Sequence, residues 1–216
     1  MPSWVDPIKV LWISTACSAA LAAGVGRLGR QPWPPEGAGR LGRQTGGVRI
    51  AVLSDTHAPR HWKSCPAEVA RRLRGVDLIL HAGDVCTAGV LDELSSFAPV
   101  HAVLGNNDGP EVAAWGAPPV LELELAGLPV AMLHDSGPAT GRQARLRRRF
   151  PSARLVIFGH SHIPWDCDSD GLRTFNPGSP TDRRRQPVGT MGLLRIERGQ
   201  LRSVRIVPVT PPRPTP

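Results

Sequence analysis

Tyrosine is absent from the 216 residues, and phenylalanine occurs only four times. A nucleic-acid surface built on stacked aromatic rings is therefore a poor reading of the chain. Cysteine is scarce too: Cys17, Cys65, Cys86 and Cys167 stand far apart without a Cys-x-x-Cys pair. That spacing argues against a disulfide framework and for reduced, buried thiols in a cytosolic enzyme. Acidic residues number 18 against 26 basic ones, nearly all arginine, for a formal charge of +8. The excess permits a phosphorylated partner without choosing one. A hydrophobic fraction of 41% and a charged fraction of 20% exclude a wholly disordered chain, a collagen and a coiled coil.

What is abundant is Gly and Pro, 23 of each, and part of that excess lies in the tails. Residues 1–47 read as a low-complexity N-terminal extension outside the folded domain. Ile8 to Ala23 is an apolar, small-residue run behind Lys9 that looks like the core of an export signal, yet Ser14, Thr15 and Ser18 interrupt it. It is followed by two copies of GRLGRQ, at 26–31 and 39–44, too few and too short for a solenoid. A disordered extension or a mis-assigned start is the reading preferred to a working signal or membrane anchor. Residues 210–216 are a Pro-rich tail, which leaves 48–209 as the domain.

Within that domain, Val48 to Leu53, Asp77 to His81 and Val100 to Leu104 read as buried strands. Helices over Pro66 to Arg74 and Val90 to Phe97 separate them. The alternation implies βαβ crossovers and a mainly parallel sheet covered on both faces. Hairpins follow: Val120 to Leu125 with Leu128 to Leu133, Asp166 to Phe175 about Asp170-Gly171, and Met191 to Ile196 with Leu201 to Val207. An Arg-rich helix over Thr140 to Phe150 and a strand at Leu155 to Phe158 stand between them. The expectation is an α/β domain with a second, more antiparallel half.

Polar clusters end the strands: SDTH at 54–57, GD at 83–84, GNND at 105–108, HD at 134–135 and GHSH at 159–162. In open α/β sheets ligands bind beyond the carboxyl ends of the strands, so the five clusters converge on one crevice. Asp55, His57, Asp84, Asn106, His134, His160 and His162 then supply hard oxygen and imidazole donors suited to divalent transition metals. Seven donors exceed one mononuclear site and suffice for two if a carboxylate bridges. Asp84, central in chain order and preceded by glycine, is the candidate bridge. Asp55 and His57, two apart, can chelate one ion. His61 and His101 read as ordinary surface or core histidines.

These ordered motifs resemble those of the calcineurin-like metallophosphoesterases. With NPGS at 176–179, the compact domain is similar to the small YfcE-like phosphodiesterase subfamily. The resemblance covers roughly Val48 to Val209. It implies a four-layer α-β-β-α sandwich with a mixed sheet and a dinuclear centre. Asp55, His57 and His162 would hold one metal, Asn106, His134 and His160 the other, and Asp84 would bridge. Manganese is the first choice among the divalent ions, with nickel, iron, zinc and magnesium also compatible. The implied reaction is hydrolysis of a small phosphodiester or nucleotide by metal-activated water, with no protein nucleophile.

Asn107 and Asp108 are the candidate catalytic residues. Many relatives carry histidine where Asn107 stands, and an amide donates hydrogen bonds but is no general acid near neutral pH. Asp108 is expected to orient Asn106 or its loop. His134-Asp135-Ser136-Gly137 also departs from relatives in which glycine directly follows the histidine. The cluster Arg142 to Arg149 reads as a solvated helix face rather than a phosphate clamp. Arg183 to Arg185 stand close enough after NPGS for one to approach substrate. Asn176 and Ser179 read as loop-fixing residues beneath the site.

The competing function is a noncatalytic protein-interaction module on the same fold, as in the related eukaryotic retromer subunit. Retention of donors at all seven positions favours the enzyme. A repair-type nuclease would need capping or DNA-binding regions for which the chain has little room. The expected setting is cytoplasmic, with a small substrate, no stable nucleic-acid complex, no membrane association, and room for a homo-oligomer.

Overall fold

The computed structural model describes residues 8–10 and 47–212, the first three by their backbone alone. The apolar run beyond Val10, both GRLGRQ copies, Cys17 and the last four residues of the Pro-rich tail lie outside the described residues. Ile8–Val10 (β1) pairs antiparallel with Val120–Leu125 (β5), so a strand of the expected extension belongs to a sheet of the domain.

Val48–Leu53 (β2), Ala67–Leu73 (α1), Leu78–His81 (β3), Ala88–Ser95 (α2) and Val100–Ala102 (β4) form the expected βαβαβ run. β2, β3 and β4 pair in parallel. Pro110–Trp115 (α3) follows. This short helix was not anticipated, although Pro110 in its first turn and Gly116 beyond its end, in the left-handed region at φ 119°, are a recognisable start and stop. The remainder comprises Leu128–Leu133 (β6), Arg142–Arg149 (α4), Leu155–Ile157 (β7), Trp165–Ser169 (β8), Leu172–Asn176 (β9), Thr190–Glu197 (β10) and Gln200–Pro208 (β11).

The strands form two mixed sheets, ordered β1-β5-β6-β7-β9-β8 and β11-β10-β2-β3-β4. The sheet of β5 to β9 is the more antiparallel one, as expected, but the expectation of a mainly parallel first sheet, that of β2 to β4, is corrected, because two antiparallel strands join it. The last hairpin returns to the first sheet, where β10 lies antiparallel to β2 with Gly192 opposite Val52. Packing explains the return. Leu194 and Ile196 of β10 join the core between the sheets, and Gly192 leaves room for the Phe175 ring, into which a Cβ would run.

Strand alternation distributes the layers. Ile50, Val52, Leu78 and Leu80 face Leu123, Val130, Met132, Ile157 and Phe175 of the other sheet. Ala51, Leu53 and Ile79 instead pack beneath Val69 and Leu73 of α1 and Val90, Leu91 and Leu94 of α2. On the far side Ala131, Leu133 and Val156 lie under Leu146 of α4 and Phe150. Helices thus cover both outer faces of a sheet pair, the four-layer α-β-β-α sandwich. Complete burial of each such aliphatic side chain contributes about 1.5–3 kcal/mol, so all three apolar layers hold the domain together.

Three tight hairpin turns, Ala126-Gly127, Asp170-Gly171 and Arg198-Gly199, have positive φ at both residues, matching the twist of the flanking strands. Among the described residues no helix is long and apolar enough to cross a membrane.

Candidate metal centre

Beyond the ends of β2 and β3 the backbones continue to pair. Asp55 N donates to Gly83 O at 2.9 Å and His57 N to Asp84 O at 3.0 Å. Paired in this way, the two loops bring Asp55, His57 and Asp84 onto one rim. The pairing requires unusual backbone: Asp55, His57, Asp84, His160 and His162 all have φ between 49° and 68°. Non-glycine residues occupy this left-handed region only when their surroundings enforce it, at roughly 1–3 kcal/mol each. Five of the seven proposed donors are thus held in a strained form.

Two glycines make the approach possible. A Cβ on Gly159 would collide with Ser54 Oγ, and one on Gly105 with the Asp84 carboxylate. Only an unsubstituted backbone can lie this close to the two acids.

The donors form two overlapping sets. Asp55, His57 and His162 place ligand atoms within 4.8 Å of one another, and so do Asp55, Asp84 and His134. His162 Nε2 stands 3.3 Å from Asp55 Oδ1, and His57 Nε2 stands 3.9 Å from it. Asp84 Oδ2 faces histidines from both sides, His57 Nε2 at 3.7 Å and His134 Nε2 at 3.3 Å. The triads share Asp55, whereas Asp84 supplies the oxygen that lies between them. Asn106 Oδ1 extends the second set, 3.1 Å from His134 Nε2 and 2.8 Å from His160 Nδ1. All seven sequence-predicted donors therefore form one connected cluster.

The two carboxylates are prepared differently. Asp55 is wholly buried; its Oδ2 accepts from Ser54 Oγ at 2.7 Å and His160 N at 3.0 Å, while Oδ1 has no hydrogen-bond partner. Burial pushes its carboxyl up to about 7, against the favourable field of His134. Asp84 is also buried, but the cost is outweighed. His134 interacts with it, Asn107 N donates to Oδ1 at 2.8 Å, and Asn107 Nδ2 donates to Oδ2 at 2.7 Å, so its carboxyl is held below the usual carboxylate range.

The histidines are aimed by their outer nitrogens. His134 Nδ1 meets the Ala82 carbonyl at 2.7 Å, His162 Nδ1 meets the Asp182 carbonyl, and His57 Nδ1 lies 3.6 Å from Cys86 Sγ. Each contact leaves Nε2 facing the pocket. Burial lowers the His162 imidazole to about 4 and also lowers His57, keeping both as neutral donors. Burial lowers His134 too, but the Asp84 and Asp55 carboxylates reverse that and raise it. Burial also pushes the Cys86 thiol up to about 11, with Asp108, Asp84 and Asp55 adding to the rise.

Asn107, an exposed residue, and Asp108, a half-buried one, both hydrogen-bond into this scaffold. Asn107 braces Asp84. Asp108 Oδ2 accepts from Asp84 N at 2.9 Å and Gly105 N at 2.7 Å, and its Oδ1 accepts from Cys86 N at 2.6 Å. Its carboxylate thus ties the second and third strand-end loops together. Below them, Ser179 Oγ donates to Asp55 O and Asn176 Nδ2 to Gly159 O, both at 2.7 Å.

Sequence reasoning missed several supporting groups. Ser54 was visible in the motif, but Asp182, Cys86 and the Ala82 carbonyl had no signal, because their contacts arise only when distant loops meet. His81 is a further buried histidine, 3.2 Å from Thr56 Oγ1 and pushed by burial down to about 3, and it belongs to neither donor triad. His101 is half-buried on β4 and His61 is exposed beside Asp182, both outside the donor set. The arginine helix is occupied structurally: Arg142 stacks on Phe158 and Trp165, and Arg145 donates to the Ser136, Pro138 and Thr140 carbonyls.

A buried carboxylate oxygen with no partner, ringed by imidazole nitrogens, is what a cation-binding site requires, and this donor set suits divalent ions. Known proteins agree. A probable metallophosphoesterase of Methanothermobacter thermautotrophicus is 35% identical over 152 residues, covering 68% of this chain and 86% of the relative. Zinc-complexed Vps29 from Entamoeba histolytica superposes with a TM-score of 0.62 at 22% identity, covering 76% of this chain and 99% of that one. An archaeal phosphodiesterase superposes with a TM-score of 0.58 at 22% identity, covering 74% and 100%. Those two likenesses show the shared fold. The model of the calcineurin-like phosphoesterase superfamily domain matches residues 48–199, and with the relative's identity this establishes that the chain belongs to the calcineurin-like phosphoesterase superfamily.

Proposed function

We propose that the chain is a dinuclear metal-dependent phosphodiesterase acting on a small phosphodiester or nucleotide. The observation that carries the reading is the pair of donor sets around Asp55 and Asp84. Asp55, His57 and His162 would hold one ion and Asn106, His134 and His160 the other, with Asp84 between them. Bound there, two divalent ions, manganese foremost, would supply Lewis-acid activation of water and neutralise charge on the phosphoryl oxygens. The protein's own residues provide position. Strained strand-end loops preset the donors, Asn107 keeps Asp84 ionised and correctly turned, and Asp108 locks the loops on which both stand. With Asn107 spent on Asp84 and unable to give up a proton, the leaving group receives no acid from this position, so the reading favours esters of acidic alcohols.

The test is hydrolysis of bis(p-nitrophenyl) phosphate by metal-stripped protein, each metal being restored in turn, beside Asp84→Ala. Activity is expected only with metal, and Asp84→Ala should lose more than the ~100-fold that removal of a supporting residue can cost. Turnover without metal, or an Asp84→Ala variant as active as the parent, overturns the mechanism. The fold likeness to Vps29 supports the alternative of a noncatalytic interaction module; a folded, metal-loaded protein inert on every phosphoester would select it.

A further inference from the structure

Three histidines present Nε2 to the pocket, and each is backed at Nδ1 by a different element. His134 rests on the carbonyl of Ala82 at the end of β3, and His162 on the carbonyl of Asp182. His57 has no carbonyl or carboxylate behind it; the contact recorded at its Nδ1 is Cys86 Sγ at 3.6 Å. Cys86 does not drift into this contact. Its amide is held by Asp108 Oδ1 at 2.6 Å, the flanking loops are tied by His57 N to Asp84 O and Ala58 N to Val85 O, and its φ is 70°. In front of His57, Nε2 looks towards Asp55 Oδ1, the buried oxygen without a partner. A protonated Nδ1 facing sulfur leaves the Nε2 lone pair directed at that oxygen's neighbourhood, the arrangement in which both can ligate one cation.

We propose that Cys86 is a positioning residue that fixes the tautomer and orientation of His57 through an Nδ1–H···Sγ hydrogen bond. It thereby tunes the affinity of the Asp55–His57–His162 half of the centre. Sulfur accepts hydrogen bonds more weakly than the carbonyls behind His134 and His162. This half consequently holds its ion less tightly and exchanges it first. The inference rests on the ligand reading above, and its test separates the two.

Metal-stripped protein is titrated calorimetrically with Zn²⁺ alone, comparing wild type, Cys86→Ala, Cys86→Ser and His57→Ala. Cys86→Ala should weaken the looser of two binding steps by ~10- to 100-fold, the usual effect of losing an outer partner of a ligating histidine. Cys86→Ser, whose hydroxyl can accept the same proton, should restore affinity to within about threefold. His57→Ala should abolish the looser step. Unchanged Zn²⁺ binding in His57→Ala overturns the ligand reading itself. A His57→Ala that loses an ion beside a Cys86→Ala that binds like wild type overturns the Cys86 inference alone. A second measurement needs no variant: long-range ¹H–¹⁵N spectra of the Zn²⁺-loaded wild type should show His57 protonated at Nδ1, and protonation at Nε2 overturns the proposal.

Discussion

The two carboxylates at the heart of the centre sit one strand apart, are equally buried, and are prepared in opposite ways. Asp84 accepts hydrogen bonds from both nitrogens of Asn107, one at each oxygen, while Asp55 Oδ1 has no hydrogen-bond partner and has imidazole nitrogens near it. Burial governs Asp55 and hydrogen bonding governs Asp84. A protein can thus stabilise one anion by itself and leave the other short of partners, so in the proposed centre Asp55 is the acid whose charge would depend more on a bound cation.

The largest expected effect follows from that contrast. In metal-free protein the Asp55 carboxyl, raised from 3.8 to about 7, favours the folded state fully only below its unfolded value. Its contribution is lost as pH rises from about 4 to about 7, by up to about 4 kcal/mol. Asp84, held low, contributes above the unfolded carboxylate range and loses that contribution as pH falls through its folded value. Urea unfolding in chelator across this window should therefore show Asp55→Asn flattening the loss of stability at rising pH, and Asp84→Asn, which removes only a lesser cause of the Asp55 rise, reducing that loss far less. Identical profiles would erase the distinction. Divalent metal should remove the Asp55 penalty in the wild type, seen as a larger metal-induced rise in Tm at pH 7 than at pH 5.

A second contrast concerns the glycines that admit the acids. Gly159→Ala presses on Ser54 and Asp55, Gly105→Ala on Asp84. Each should destabilise by about 1–3 kcal/mol, as overpacking does. In Zn²⁺ titrations Gly159→Ala should disturb the half that includes His57 and His162 more than the other. Equal disturbance of both halves would mean that the loops move as one body. The smallest effect is expected at Arg145, which ties the loop after His134 to α4 through carbonyls of Ser136, Pro138 and Thr140. Arg145→Lys, lacking the planar fork, should cost less than about 1 kcal/mol and alter Zn²⁺ binding only modestly. A loss of one bound ion would show that this loop positions His134 directly.

The strands and their polar ends were legible because both follow from short-range rules. The continuous apolar run from Ile50 to Leu53, bounded by polar Ser54, specifies a strand buried on both faces, and β2, β5 and β6 occur where the pattern placed them. The hairpin turns followed from Ala126-Gly127 and Asp170-Gly171. Less legible was the membership of sheets. β10 reads as one arm of a local hairpin, and nothing in Thr190 to Glu197 says that its other neighbour is β2, more than a hundred residues earlier. That pairing depends on which apolar faces meet, and Gly192 matters only because Phe175 lies across it.

The same division runs through the site. Residue types and order within the sequence determined which seven side chains could donate to a metal and that they would gather at strand ends, because a strand delivers its last residues to a common edge. Tertiary structure alone decided what these residues became: Asp55 an acid with one oxygen lacking a hydrogen bond, Asp84 a braced anion, Asn107 an exposed residue whose amide braces Asp84, and His57 a ligand candidate backed by sulfur. Those roles are set by desolvation and by partners tens of residues away, and neither quantity exists until the loops have closed on one another.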